Sequence, residues 1–525
     1  MSLFLCLVSL TGGSGAALAP EVALPVGRVQ GVQEGNVRAF RGIPYAEAPL
    51  GPLRWRPPVA FKPWQGTRDA SKYGKPCLQS FGGSEDCLYL NVYAPDNLTN
   101  TSRAPCLVWI HGGGFEFGSG GDMYNGTNMV SFLHSQDSPV VLVTMNYRLG
   151  VFGFLGSDLL RERDPLRSTG NYGIQDQRMA LRWVKDNILA LGGDPSKVMI
   201  YGQSAGACSV SSHMLMPGSY GLYARAIMES GGFSGWCAQP MKTSEFWFQK
   251  LMEHTKCDTT DCLVQLSSQE LISAYLAIPD GRCCRQIVGY PFIPWAPTID
   301  GIELKGHSMD LLKQGKVNKV PMVMGTALDD AAGFFTNHSL STEDLDTLFD
   351  KYESRAASKP YLSEAHATLQ NYSNAWWAAE RAVTDQNFFC PTHFASRTLS
   401  NATQTFQYVL AHSTTTAPVV QHGDEIPLVF MNLPRTASPE EKQLAAEMAT
   451  SWYRMALSGS PGGELPWPRQ TPQLAPLLKF QVSSEGGSQV MDSNYRDALC
   501  AFMLQWLDKA IHVAEGSQET HEVVI

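Results

Sequence analysis

The sequence predicts an α/β fold: a large, mostly parallel, twisted sheet flanked by helices on both faces, with helical and loop insertions. Three features point there. Short apolar runs rich in β-branched residues recur along the chain, amphipathic stretches of helical spacing separate them, and glycine-rich turns follow several of the runs. Of the 525 residues, 44% are hydrophobic and only 17% charged, which suits a packed core and excludes a disordered chain. A formal net charge of −9 with no basic block argues against a nucleic-acid binder.

The elements follow in order. MSLFLCLVSLTGGSGAALAPEV joins a short apolar run to small residues, and Ala17-Leu18-Ala19 fits a cleavage site. Residues 1–19 are therefore expected to be a signal peptide, although the positive n-region is missing and Pro20 is a poor residue after a cut. Residues 26–45 alternate apolar and polar, with glycines at turns, and predict an antiparallel start. CLVWIHGGGF (Cys106–Phe115) and PVVLVTMNYRLG (Pro139–Gly150) each contain a buried strand. Gly173–Pro195 has helical spacing and stops at Gly192-Gly193. KVMIYG is a strand, ACSVSSHMLM a helix, and RAIMESG and VPMVMGT further strands. Residues 240–315 read as helices and loops inserted over the sheet edge, residues 340–410 as helical, and residues 437–460 as an amphipathic helix. A last helix is expected at about Tyr495–Ala514. With no repeat and no low-complexity linker, residues 20–513 form one domain in this reading, and 514–525 a polar tail.

The chemistry gathers around Gly202-Gln203-Ser204-Ala205-Gly206, a G-x-S-x-G between a strand and a helix. Glycines on both sides remove the Cβ atoms that would clash in so tight a turn, and the turn lifts the serine hydroxyl beyond the sheet edge. Ser204 is the candidate nucleophile. Such a serine needs an oxyanion hole, a base and an orienting acid. His111-Gly112-Gly113-Gly114-Phe115 follows a buried strand upstream, and the N–H groups of a glycine run can face a developing oxyanion. Of twelve histidines, His422 in VVQHGDEIPLVF is best placed as base. VPMVMGTALDD offers Asp329 and Asp330 as the acid, and spacing does not choose between them. No C-x-x-C pairs with a second C-x-x-C, so a structural zinc site is not expected, and no metal or cofactor is required.

FRGIPYAEAPLGPLRW, SEDCLYLNVYAP, WIHGGGFEFGS, NYRLGVFGFL, GNYGIQDQRMALRWVKDNILALGGDPSKV, YGQSAGA, ESGGFS, HGDEIPLVF and a closing WP segment stand in the order in which the type-B carboxylesterase and cholinesterase family of α/β hydrolases carries them. The chain resembles that family over roughly residues 25–510. The resemblance implies the α/β-hydrolase fold, with Ser204 as nucleophile and His422 as general base. It implies Asp330 as the acid, where most members carry Glu. An Asp is one methylene shorter, so the strand end or the histidine loop must sit closer. The implied oxyanion donors are the N–H groups of Gly113, Gly114 and Ala205. Implied disulfides are Cys77–Cys87, Cys257–Cys262 and Cys390–Cys500, and implied ion pairs Arg41–Glu85 and Arg148–Asp176. Cys283 and Cys284 stand outside the pattern.

Two departures bear on substrate. Cholinesterases usually carry Glu where this chain has Gln203, and a tryptophan in the loop that here reads CLQSFGGSEDC. Loss of both the anion and the cation–π partner argues against choline esters and for neutral ones. Phe115, Gln203, Phe233, Trp236, Trp295 and Phe334 are candidate pocket residues. The expected function is hydrolysis of small-molecule carboxylic esters through an acyl-enzyme. The rivals are a lipase acting on long acyl chains, and a silent adhesion protein like the neuroligin and thyroglobulin relatives that have lost catalytic residues. Sequons at Asn97, Asn100, Asn125, Asn337, Asn371 and Asn401, with twelve cysteines, fit secretion. The tail ETHEVVI carries neither an ER-retention nor a lipid-anchor signal.

Overall fold

A computed structural model describes residues 19–279, 293–335, 337–350, 373–415, 417–491, 495–501 and 503. The leader assigned to 1–19 (all but Ala19), Cys283, Cys284, Asn371 and the tail 514–525 lie outside the described residues, as does most of the expected last helix.

Eleven strands make one sheet: β1 (Val32–Glu34), β2 (Val37–Pro44), β3 (Tyr89–Pro95), β4 (Ala104–Ile110), β5 (Val141–Met145), β6 (Gly193–Gln203), β7 (Arg225–Glu229), β8 (Met322–Ala327), β9 (Thr405–Leu410), β10 (Leu477–Phe480) and β11 (Gln489–Met491). Their order is β1-β2-β3-β5-β4-β6-β7-β8-β9-β10-β11. From β5 through β10 every pairing is parallel, while β1, β2, β3 and β11 pair antiparallel at the two edges. The central strands are apolar on both faces, as a sheet covered on both sides requires. Val108, Ile110, Val198 and Ile200 face one core, with the helices Tyr172–Asn187 and Ala205–Leu215. Leu107, Trp109, Met199 and Tyr201 face the other, under the helix Pro439–Ser458.

Helix ends follow local chemistry. Ser438 caps Pro439–Ser458 in a reciprocal capping box with Glu441, and Gly459 closes it at φ 82°. The helical reading of 340–410 holds for Thr342–Asp350, Asn374–Thr384 and Cys390–Leu399 but not for TFQYVL, which is strand β9. Buried on both faces between β8 and β10, that run gains more from sheet pairing than from helical turns.

The three expected disulfides are present: Cys77–Cys87, Cys257–Cys262 and Cys390–Cys500. A fourth, Cys208–Cys237, was not anticipated. Cys106 is a buried free thiol whose pKa burial pushes up. Arg148 and Asp176 form the expected bidentate pair, both N–O contacts being 2.7 Å. The expected Arg41–Glu85 pair does not form. An irregularity in β2 between Phe40 and Ile43 accompanies a turn of Arg41 toward Tyr73, Tyr93 and Glu34, its N–O distance to Glu34 being 2.7 Å. Arg54, just after the turn Gly51–Leu53, takes Glu85 instead at 2.6 Å.

Candidate active site

Four loops meet at the C-terminal ends of the parallel strands, where open α/β sheets place their ligands. The first follows β6. Ser204 adopts φ 60° and ψ −126°, between the last residue of β6 and the helix Ala205–Leu215. This conformation is costly for a residue with a Cβ and needs support from its surroundings. The Ser204 N–H donates to the Glu229 carbonyl at 2.9 Å, and its carbonyl accepts from the Cys208 N–H at 3.0 Å. The flanking glycines are sterically required. A Cβ on Gly202 would come within 2.5 Å of the Ile110 carbonyl oxygen, and one on Gly206 would collide with it.

The second loop follows β4 and lies against the serine. A Cβ on Gly112 would stand 3.0 Å from the Ser204 Cβ. Gly113 has φ 105°, and its carbonyl accepts the N–H groups of Glu116 and Phe117, each at 3.0 Å. Among the described residues the amides of Gly113 and Gly114 meet no acceptor. The Ala205 amide opens a helix, where the first N–H groups have no intrahelical partner. His111 holds the base of this loop. Burial pushes its pKa down to about 4, so it is neutral, with Nδ1 donating to the Gly112 carbonyl at 2.8 Å. Its ring stacks on Tyr147 at 4.4 Å.

The third and fourth loops, after β8 and β9, are joined to each other. His422 Nδ1 donates to Asp330 Oδ1 at 2.6 Å, and the other Asp330 oxygen accepts the Ala327 N–H at 3.0 Å. Asp330 is fully buried, and the His422 side chain keeps 15% of its surface exposed. Asp329 faces elsewhere. It forms an ion pair with Arg381 at 2.5 Å and accepts the Val420 N–H at 2.9 Å, while its own N–H donates to the Val420 carbonyl at 2.9 Å. This double link draws the histidine loop onto the strand end, which is how the short Asp330 reaches the imidazole. The histidine loop also approaches the serine turn, since a Cβ on Gly423 would lie 3.8 Å from Gln203 Nε2. One end of the sheet thus gathers a serine on a forced turn, unengaged amides beside it, and an imidazole oriented by a buried carboxylate. Such a set can attack a carbonyl and hold the resulting oxyanion.

Comparison with known proteins bears on the same chemistry. Residues 18–503 match the carboxylesterase family. The chain belongs to that family.

Among curated relatives, para-nitrobenzyl esterase of Bacillus subtilis is 32% identical over 85% of this chain and 92% of its own length. Acetylcholinesterase of Bungarus fasciatus is 30% identical over 98% and 90%. Among solved structures, a carboxylesterase of Geobacillus stearothermophilus superposes with a TM-score of 0.78 at 31% identity, covering 91% of this chain and 99% of that one. The protein is a carboxylic ester hydrolase with the α/β-hydrolase fold.

In this esterase the candidate pocket residues divide. Phe334 lies 5.3 Å from the His422 ring. Trp236 packs at 6.1 Å on Phe388, whose own ring is 5.1 Å from His422. Gln203 is buried beside Ser204, and its Nε2 has no hydrogen-bond partner among the described residues. Phe233 is fully buried with φ 58°, and its carbonyl accepts the Ser308 hydroxyl at 2.9 Å. Phe115 and Trp295 are fully buried core residues, one against Phe154 at 4.9 Å and the other against Tyr275 at 5.7 Å and Trp247 at 6.2 Å.

Phe388 escaped the sequence reading. It sits in a π-helical turn, Asp385–Phe389, between Asn374–Thr384 and Cys390–Leu399. One residue inserted into a helix rotates every side chain after it, so helical periodicity misplaces Phe388, although π-turns often mark functional sites. A buried acidic layer escaped it too. Glu229, whose carbonyl holds the Ser204 amide, accepts Trp452 Nε1 at 2.8 Å, and burial raises its pKa to about 8. Glu425, three residues past His422, is pushed well up by burial first, then by Glu229 and Asp330.

Proposed function

We propose that this esterase hydrolyses neutral carboxylic esters through Ser204, His422 and Asp330. Ser204 attacks the ester carbonyl as His422 takes its proton. The Asp330 carboxylate holds the imidazole tautomer through Nδ1 and stabilises the imidazolium. The amides of Gly113, Gly114 and Ala205 receive the oxyanion. His422 then protonates the leaving alcohol, an acyl-enzyme remains on Ser204, and water repeats the sequence. The observation that carries this reading is the 2.6 Å bond between His422 and the buried Asp330, in a loop that approaches the serine turn.

The preference for neutral esters rests on Gln203, an uncharged group next to Ser204, and on the Cys77–Cys87 loop, whose sole aromatic residue is the exposed Phe81. The aromatic side chains of Phe334 and Phe388 beside His422 suit an apolar ester group. Secretion is part of the proposal. It is supported by four disulfides among the described residues and by sequon asparagines Asn97, Asn100, Asn337 and Asn401 at exposed positions. Among the described residues no helix is long and apolar enough to cross a membrane.

The test is turnover of short-chain and long-chain p-nitrophenyl esters and of a choline ester, with S204A as control. Short neutral esters should be cleaved in preference to the choline ester, S204A should be inactive, and an organophosphate should label only the wild type. A wild type that neither turns over an ester nor takes the label ends this reading. A preference for long chains in emulsion would make the protein a lipase.

A further inference from the structure

The Cys208–Cys237 disulfide has no part in the acyl-transfer steps, yet it stands beside them. Cys208 lies in the helix that begins directly after Ser204, and Cys237 ends the short 3-10 turn Gly235–Cys237, which carries Trp236. Both cysteines are buried. Their sulfurs lie 3.1 and 2.8 Å from the Gly231 carbonyl oxygen. Bonded to each other they carry no proton, so these are close S–O contacts and not hydrogen bonds. The segment that leaves β7 toward Cys237 crosses the serine turn closely, since a Cβ on Gly231 would lie 2.6 Å from the Ser204 carbonyl oxygen.

On its far side the same segment donates twice to a single carbonyl. The Asn387 carbonyl takes the Ser234 hydroxyl at 2.5 Å and Trp236 Nε1 at 3.1 Å. Asn387 belongs to the π-helical turn, and the next residue is Phe388, against the His422 ring. Phe334 stacks nearly parallel on Phe388 at 6.4 Å. A continuous set of contacts thus runs from the nucleophile helix through the disulfide to Trp236, then to the π-turn, and ends on the imidazole. Remove the disulfide, and this part of the wall keeps its packing and its hydrogen bonds, those to Asn387 and Ser308 among them, but loses its covalent tie to the nucleophile helix.

We propose that the Cys208–Cys237 disulfide is a specificity-determining strut. It fixes the aromatic wall of Trp236, Phe388 and Phe334 at a set distance from Ser204, and so limits the size of the ester group admitted beside His422. The inference rests on the reading of Ser204 and His422 as the reacting pair. Cys208 and Cys237 are positioning residues in it, since neither touches the reacting atoms. An apolar wall discriminates by size only as sharply as it is rigid, and one methylene in a fixed pocket is worth about tenfold or more in kcat/KM.

The test compares kcat/KM for small and bulky esters, varying acyl group and alcohol separately, in the full chain and its variants. In C208A/C237A the preference for the small member of the affected series should fall about tenfold, through a lower KM for the bulky ester. C257A/C262A, which removes a different disulfide, should keep the wild-type ratio. If the alanine pair does not fold, C208V/C237A restores much of the lost sulfur volume and carries the same expectation. Three results overturn the proposal: an unchanged ratio in a folded variant, an equal loss of turnover with every ester, or free Cys208 and Cys237 thiols in the native protein by alkylation mapping. Absence of turnover in the wild type would sink the triad reading and this inference with it, whereas turnover with an unchanged ratio sinks this inference alone.

Discussion

Asp329 and Asp330 are neighbours with opposite duties, and the turn after β8 separates them. Asp330 meets His422, while Asp329 neutralises Arg381 and clasps Val420. D330N should therefore lower kcat by roughly 10³–10⁴-fold with little change in KM, because an amide there favours the wrong imidazole tautomer. D329N should leave most of kcat and cost about 2 kcal/mol of stability, since Arg381 loses a buried partner. Steady-state kinetics alongside denaturant unfolding separates the two, and a kcat collapse confined to D329N would move the acid by one position. Glu229 gives a test by pH. Its carboxyl keeps a proton in the folded state up to about 8, whereas the unfolded chain releases it near the ordinary value of 4.5. Unfolding within that window releases a proton, so stability falls as pH rises from about 4.5 to about 8. E229Q keeps the acceptor for Trp452 and should flatten this fall in apparent unfolding temperature. The flattening will be partial, because Glu380 is raised to about 8 in the same way. An unchanged slope would mean that Glu229 is ionised in the fold.

Among the elements, those that announce their own boundaries were legible in the sequence. The helix Pro439–Ser458 lies within the expected 437–460 because Ser438, Glu441 and Gly459 are local signals that need no knowledge of the rest of the fold. S438A should cost about 1 kcal/mol, read as a lower denaturant midpoint, and S438D should recover most of it. The serine turn was legible for a related reason: the Gly202 and Gly206 positions cannot hold a Cβ, so the constraint is written in residue type. By contrast, β9 lies in a stretch that reads as helical until β8 and β10 are there to flank it. Phe388 and the Cys208–Cys237 bond depend on where a π-turn and a crossing segment lie in space. The pairing of Glu85 with Arg54 in place of Arg41 likewise depends on where the turn Gly51–Leu53 lies in space.

At the scale of the whole molecule, the four site loops follow β4, β6, β8 and β9, so the sheet sets their spacing, and residues far apart in sequence meet at one end of it. Expression through a secretory host should glycosylate the exposed Asn97 or Asn100, Asn337 and Asn401, seen as mass lost on treatment with peptide N-glycosidase. Asn125 should remain bare, being half-buried with its Oδ1 already accepting the Thr127 N–H at 3.0 Å. The Cys390–Cys500 bond joins residues 110 positions apart, and the ring it closes contains β9, His422, the helix Pro439–Ser458, β10 and β11. A protease that cuts this ring once, at an exposed site such as Leu474, therefore cannot release the C-terminal piece that carries β10 and β11. The nicked protein would run as one band without reductant and as two with it, and the outer strands β10 and β11 would stay tethered to the piece that carries Ser204, Asp330 and His422.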